Sequence, residues 1–168
     1  MGCRELHMRR RITLIAVFFF LVAAVIAGLT LRGEQMRADN GRTQDRFIGA
    51  WRLLWLKEPG ADGQVHRADC TGLLVYTRDG HMSVQVMYRN EQIGGQEGPV
   101  QYTLSGYEAS FGTYQINENA RTFTFHVEGA MVRSLLGRDL PRAFELSGNQ
   151  LIVKSTDPKE HWRVAWEH

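Results

Sequence analysis

Few side chains in this sequence have the types and spacing that catalysis requires. Ser83 lies outside any Gly-x-Ser-x-Gly turn, and its spacing does not set it beside a histidine and an acid as acyl transfer requires. The histidines of the C-terminal part are far apart, and no pair has metal-ligand spacing. We therefore expect no catalytic triad, no metal and no cofactor. His126, with Glu128 on the same predicted strand face, stays open as a general base.

A second group of polar side chains has a spacing that suits ligand binding. Ser83 and Gln85 lie two residues apart, so a β-strand places both on one face. Tyrosine, histidine and arginine side chains on other predicted strands can point to the same space and fix the polar end of a ligand. Cross-strand hydrogen bonding is the structural alternative. The candidate ligand-binding residues are Tyr76, Ser83, Gln85, Tyr114, His126 and Arg142.

Short runs of alternating apolar residues predict that these side chains lie on antiparallel strands. Turn-forming pairs such as Asp79-Gly80 separate the runs. The exceptions are Gly129–Leu136, which can form one or two helical turns, and Arg89–Gln101, a predicted long loop. A meander of short strands must protect its edges, so we expect an all-β, eight-stranded antiparallel up-and-down barrel. The predicted strands are Trp51–Lys57, Gly72–Thr77, His81–Tyr88, Phe111–Ile116, Thr122–Glu128, Arg142–Leu146, Gln150–Lys154 and His161–Glu167.

Length and charge indicate one such domain behind a basic leader. The chain has 168 residues, a length typical of one domain. Residues 1–46 carry 8 Lys/Arg against 4 Asp/Glu, which leaves 12 against 14 in residues 47–168. The domain is therefore slightly acidic and has no basic cluster to follow phosphates, which excludes nucleic acid as a partner. Cys3 and Cys70 flank the apolar run of the leader, which argues against an intrachain disulfide.

The leader has the composition of a membrane anchor. Ile12–Leu31 contains no charged residue and would extend about 30 Å as a helix, enough to cross a bilayer core. Arg9, Arg10 and Arg11 precede it and favour a cytoplasmic N-terminus. Secretion after cleavage near Ala27 is the alternative. We expect a cytoplasmic basic segment over 1–11, a transmembrane signal-anchor helix over 12–31, a polar tether over 32–46 and, outside the cytoplasm, a β-barrel domain over 47–168.

An ordered set of seven motifs runs along the domain. They are Phe47–Leu53, Thr71–Thr77, Asp79–Met87, Gly112–Tyr114, Phe125–Gly129, Arg142–Leu146 and Gly148–Leu151. This set resembles the lipocalin-like domain family of bacteria and fungi, and its first motif is similar to the Gly-x-Trp opening strand of lipocalins, although the usual Thr-Asp-Tyr signature is absent. The resemblance implies an eight-stranded barrel that holds a small apolar ligand, with no agreed biochemical activity. It also implies that Trp51 lies at the barrel floor under an arginine, either Arg163 or Arg142.

Two strand registers remain open for the interior of this barrel. A shift by one residue decides whether the polar candidates or their apolar neighbours, such as Met82 and Phe123, face inward. Hydrophobicity favours the apolar neighbours. The resemblance favours the polar set, because the matched motifs include these polar residues as much as the apolar ones. We expect the polar face of Ser83, Gln85, Tyr114, His126 and Arg142 to point inward.

These features predict a membrane-anchored, exported protein that binds a small apolar or amphipathic molecule in its barrel. One alternative is an envelope module whose barrel is filled by its own side chains and whose surface contacts a protein partner of unknown identity. Another is an isomerase or cyclase that uses His126 inside the cavity. A connected void of several hundred Å³ is usual for a ligand site. The volume of the interior therefore distinguishes a ligand-binding barrel from a barrel filled by its own side chains.

Overall fold

The computed structural model describes residues 43–60, 62–89 and 102–168. The predicted segments 1–11 and 12–31, most of the tether and all but the first residue of the predicted loop Arg89–Gln101 lie outside the described residues. Within the described part, no helix is long and apolar enough to cross a membrane.

The described residues form one antiparallel meander of nine strands. All eight predicted strands are present, and the additional strand β2 is a short exposed segment without apolar alternation. One turn of 3-10 helix, Arg133–Leu135, occupies part of the segment predicted to be helical. The strands are β1 (Gly49–Pro59), β2 (Val65–Arg67), β3 (Cys70–Tyr76), β4 (His81–Tyr88), β5 (Tyr107–Asn117), β6 (Thr122–Ala130), β7 (Asp139–Ser147), β8 (Gln150–Ser155) and β9 (Arg163–Glu167).

Backbone pairing between the first and last strands closes the sheet into a barrel. On one edge of β1, Arg52 pairs with Glu167 and Lys57 pairs with Arg163 of β9. The other edge of β1 pairs first with β3 and then with β2, so β2 and β3 together take one strand position. The result is the expected all-β, eight-stranded antiparallel closed barrel.

A register shift in β1 changes which of its side chains face the interior. Trp51 is buried before the shift, which lies between Leu53 and Trp55, and Leu56 and Glu58 are buried after it. Because neighbouring side chains alternate, Trp55 lies on the outer face. The period-two alternation of Trp51, Leu53 and Trp55 in the sequence predicts one common face for all three side chains. This prediction is wrong at Trp55, since a bulge displaces every following side chain by one position.

The segment that precedes β1 closes one end of the barrel. Residues 43–47 are helical, and the ring of Phe47 is fully buried. Its centroid lies 5.0 Å from those of Tyr76 and Phe144 and 5.9 Å from that of Phe123, so it contacts inward side chains from three strands. The indole of Trp51 donates a hydrogen bond to the Phe47 carbonyl over 2.7 Å, which fixes the segment to β1.

The last residues of the predicted tether pack against the barrel. Thr43 is buried although it falls within the predicted tether 32–46. This short polar segment positions the Phe47 ring at the end of the barrel, where it contacts side chains that are distant in the sequence. Composition does not reveal such a contact.

The contact on Trp51 also differs from the one expected. Its indole packs against the imidazole of His168, with centroids 4.2 Å apart. Arg163 lies outside the barrel, where its guanidinium is 3.3 Å from a carboxylate oxygen of Glu145. Arg142 packs on Tyr102 and another aromatic ring rather than on Trp51. The expected arginine over Trp51 is therefore wrong.

The burial of Phe47 gives a first prediction. In a chain shortened to begin at Arg42, Phe47→Ala should lower the free energy of unfolding by about 3–5 kcal/mol, because it opens a cavity among aromatic rings. Phe111→Ala is the matched control, since this ring lies 56% exposed on the outer face, and it should cost less than about 1 kcal/mol. Urea denaturation followed by tryptophan fluorescence measures both. Equal, small effects would show that the 43–47 segment is not part of the fold.

Candidate ligand-binding cavity

The interior of the barrel contains a cavity of about 80 Å³. A cavity of about 150 Å³ is known to hold benzene, and sites for drug-sized ligands span about 300–1,000 Å³. The cavity therefore has room for a few heavy atoms. Its apolar lining consists of Leu56, Leu74, Met82, Val84, Val86, Phe123, Phe125, Leu135, Leu140, Val153, Val164 and Trp166.

On β4 and β6, the apolar residues face the interior of the barrel. Met82 and Val84 line the cavity from one strand, and Phe123 and Phe125 line it from the other. The expectation of an inward polar face on these strands is wrong. Each buried Å² of apolar surface contributes about 25 cal/mol, and the few hydrogen bonds that the polar set could form inside do not compensate for exposing these side chains.

The alternating partners of these residues lie on the outer face. Gln85 Nε2 donates to Ser83 Oγ over 3.0 Å, and both side chains are half-buried. His126 is exposed, with Nδ1 2.7 Å from a carboxylate oxygen of Asp139 on the next strand. Ser83, Gln85 and His126 are therefore outside the cavity, which removes the geometric basis for isomerase chemistry at His126.

The two predicted tyrosines have different surroundings. Tyr114 is buried at the closed end, where its hydroxyl donates to the Thr77 carbonyl over 3.0 Å and its ring stacks on Phe47. It is not among the cavity-lining residues. Tyr76 does line the cavity and is 1% exposed, but within the described residues its hydroxyl has no hydrogen-bond partner. Of the six predicted residues, the structure thus brings Tyr76 and Arg142 to the cavity.

Arg142 is a buried cation in the cavity wall. Its guanidinium carbon lies 5.1 Å from the ring centroids of both Tyr102 and Trp162, and Nη1 donates to the Pro141 carbonyl over 3.1 Å. Aromatic faces stabilise a cation in this position because the ring quadrupole attracts positive charge. The sequence analysis names neither Tyr102 nor Trp162 as a site residue, although Trp162 lies in the predicted strand His161–Glu167 and alternates with Val164 and Trp166. Their approach to Arg142 depends on tertiary packing.

Glu160 connects the two rings beside Arg142. Its carboxylate accepts hydrogen bonds from the Tyr102 hydroxyl and from Trp162 Nε1, each over 2.9 Å. Burial acts to raise the pKa of Glu160, but hydrogen bonds from Ser155, Trp162 and Tyr102 and the charge of Arg142 lower it overall. Glu160 is therefore ionised at neutral pH and partly balances the arginine.

A second carboxyl group faces the cavity from β5. Burial raises the pKa of Glu108 to about 7, with the charge of Arg142 opposing this effect and that of Glu58 adding to it. Glu58 is itself buried and accepts a hydrogen bond from the Tyr88 hydroxyl over 2.9 Å. Glu108 thus carries a proton on a large fraction of molecules at neutral pH and can donate a hydrogen bond.

Comparison with known proteins agrees with this barrel. A model of the lipocalin-like domain family matches residues 48–167. The chain belongs to the lipocalin-like domain family. No curated protein matches it. Among solved structures, an uncharacterized protein from Bacteroides eggerthii DSM 20697 is similar, with 13% sequence identity and a TM-score of 0.43 over 73% of this chain and 99% of that one.

The proton on Glu108 gives this lipocalin-like barrel a pH-dependent stability. Since the pKa rises from 4.5 to about 7 on folding, the folded state holds the proton more tightly, and stability falls as pH increases between these two values. Glu108→Gln removes this dependence. The denaturation midpoint of the variant should therefore rise relative to that of the original chain as the pH increases from about 4.5 to 8. Exposed Glu128→Gln is the control and should follow the original chain. Parallel pH profiles for all three proteins would contradict the assignment.

Proposed function

We propose that this protein binds a small amphipathic molecule inside its barrel, with the polar end of the ligand beside Arg142. The observation that carries the proposal is the buried guanidinium of Arg142 in the wall of an apolar cavity. The lipocalin-like family supports small-ligand binding in general.

The buried polar groups favour ligand binding because burying them without a binding partner costs free energy. A buried donor without an acceptor costs about 1–3 kcal/mol, and a buried charge costs more unless it is paired. The guanidinium of Arg142 incurs the second cost, which Glu160 partly balances. Arg142 carries five N–H donors, and its hydrogen-bond partners include the Pro141 carbonyl and the Tyr102 side chain. An acceptor group that enters the cavity can accept hydrogen bonds from the donors that these two partners do not use.

The apolar wall restricts the rest of the ligand. Aliphatic side chains such as Val84, Val86 and Val164 surround the remaining volume and offer no hydrogen bonds. The non-polar part of the ligand must therefore be short, because about 80 Å³ leaves no space for a long acyl chain or a retinoid.

The small cavity also favours a second candidate function. Aromatic rings from Phe47, Tyr76, Phe123 and Phe144 fill the closed end, and small barrels can be filled by their own side chains. In this case the protein is an envelope module without a ligand, and its outer surface carries the function.

A cavity-filling substitution separates the two candidates. Titration calorimetry with alcohols and acids of two to eight carbons should detect binding of the short members, and Val84→Phe should weaken it at least tenfold by occupying the cavity. Val75→Phe is the matched control, because Val75 alternates with the inward residues Leu74 and Tyr76 and faces outward. Absence of binding by every member, or equal binding by both variants, would favour the filled barrel.

We also propose that residues 12–31 anchor the domain to a membrane, outside the cytoplasm. The support is the uncharged run of apolar residues behind Arg9–Arg11 and the slightly acidic charge of the domain. About ten residues separate this run from Arg42, enough to span about 35 Å when extended.

A reporter fusion tests the location. Alkaline phosphatase joined after His168 should be active in bacterial cells, because this enzyme needs an oxidising compartment outside the cytoplasm, and the full chain should stay in the membrane pellet after alkaline carbonate extraction. Deletion of residues 1–31 should abolish both properties. An inactive reporter on the full chain, or release of that chain by carbonate, would exclude the anchor.

A further inference from the structure

We infer that one side of the barrel docks on a lipid bilayer that contains anionic headgroups, through four cations that lie side by side on its outer face. This surface lies outside the barrel, so the inference goes beyond ligand binding and stands without it. The four residues are Arg67 of β2, Lys57 of β1, Arg163 of β9 and Lys154 of β8, and together they form the cationic row.

Strand register assembles the cationic row. Lys57 pairs with Arg67 on one side and with Arg163 on the other, and Arg163 pairs with Lys154. Residues paired across strands point to the same face, and all four are exposed. Neighbouring strands lie about 4.8 Å apart, so the row extends over about 15 Å. The sequence shows no basic cluster here, because positions 57, 67, 154 and 163 are far apart in the chain.

The cationic row carries more positive charge than the residues around it neutralise. One carboxylate oxygen of Glu145 lies 3.7 Å from Lys154 Nζ and 3.3 Å from Arg163 Nη2, so these two cations share one acid. Lys57 and Arg67 have no ion-pair partner among the residues that the structure describes. Like charges directly opposite each other destabilise a sheet, so the packing of the barrel does not explain the row.

Apolar side chains border the cationic row along the strands. Towards one end of the barrel, Trp55 pairs with Ala165, and Lys57 Nζ lies 5.3 Å from the centroid of the Trp55 ring. Towards the other end, Pro59 pairs with Val65, which is 56% exposed. Cations beside tryptophan and aliphatic residues are typical of surfaces at the lipid-water interface, where the cations contact headgroups and the apolar parts lie at the same level.

An anionic bilayer fits this surface better than a nucleic acid does. Residues 47–168 carry 12 Lys/Arg against 14 Asp/Glu, so the attraction comes from the cationic row and not from the net charge of the domain. Each Lys or Arg near an anionic lipid surface strengthens binding about fivefold. A nucleic acid would require a longer basic track or exposed rings that stack on bases, whereas the row has four cations and the ring of Trp55 is half-buried.

An environment-sensitive fluorophore on the full-length chain tests the inference. The label is attached at Val65→Cys, beside the cationic row, or at Thr124→Cys, which is exposed on β6 at the opposite side of the eight-stranded barrel. Both chains also carry Cys3→Ser and Cys70→Ala, so that one thiol reacts. They are reconstituted in phosphatidylcholine vesicles with or without one quarter of phosphatidylglycerol. Because both chains have the same leader, the leader cannot produce a difference between them.

The two labels should respond differently to the anionic lipid. Fluorescence of the label at position 65 should increase when phosphatidylglycerol is present, because the label passes from water into the headgroup region. Fluorescence of the label at position 124 should not change. NaCl at about 1 M should reverse the increase at position 65, because the Debye length falls to about 3 Å.

A pair of double variants separates the cationic row from general charge. Lys57→Gln with Arg163→Gln should lower the ratio of docked to undocked protein at least about tenfold. Its urea midpoint should change little, because the lost contact with Glu145 and the relieved repulsion between the two cations oppose each other. Arg133→Gln with Arg138→Gln is the control, since it removes the same charge from exposed positions between β6 and β7, and it should dock like the original chain.

Several results would overturn the inference. They are equal fluorescence of the label at position 65 in the two kinds of vesicle, an equal increase at position 124, and equal docking of the two double variants. Reversal of the increase by an excess of single-stranded DNA would assign the cationic row to nucleic acid and would overturn the inference as well.

Discussion

The pairing of β1 with β9 is the constraint on which the rest of this structure depends. Hydrogen bonds between Arg52–Lys57 and Arg163–Glu167 leave neither strand as a free edge, and they set the number of strand positions at eight. A barrel of eight strands has an interior just wide enough for side chains to fill. The cavity is therefore what remains after the inward side chains have packed, and the fully buried ring of Phe47 takes much of the space at one end.

The closed interior determines how Arg142 can be accommodated. Removing a guanidinium from water is costly, and the aromatic faces of Tyr102 and Trp162 compensate for part of this cost. Glu160 orients both rings through hydrogen bonds and supplies the opposite charge. These groups are at the end of the barrel opposite Phe47, because Trp162 directly precedes the end of β9 that pairs with Lys57. The position of the Arg142 guanidinium is therefore determined by the aromatic rings that pack around it.

The sequence predicts the strands well because a period of two is visible in runs such as Met82–Val86 and Phe123–Val127. It does not predict the bulge near Trp55, which has no compositional signature. The resemblance to a family matches positions but not the direction of side chains, so it places Ser83 and His126 on the wrong face. Residue type alone indicates Tyr76 and Arg142. The aromatic contacts of Arg142 join segments distant in the chain, and only the folded barrel brings them together.

The contrast between Tyr76 and Tyr114 connects packing with function. Both rings are buried near Phe47, but only the hydroxyl of Tyr114 reaches a carbonyl. Phenylalanine would fill the position of Tyr76 equally well and avoid the cost of an unpaired hydroxyl, about 1–3 kcal/mol. Packing at this end of the barrel therefore explains the ring of Tyr76 but not its hydroxyl.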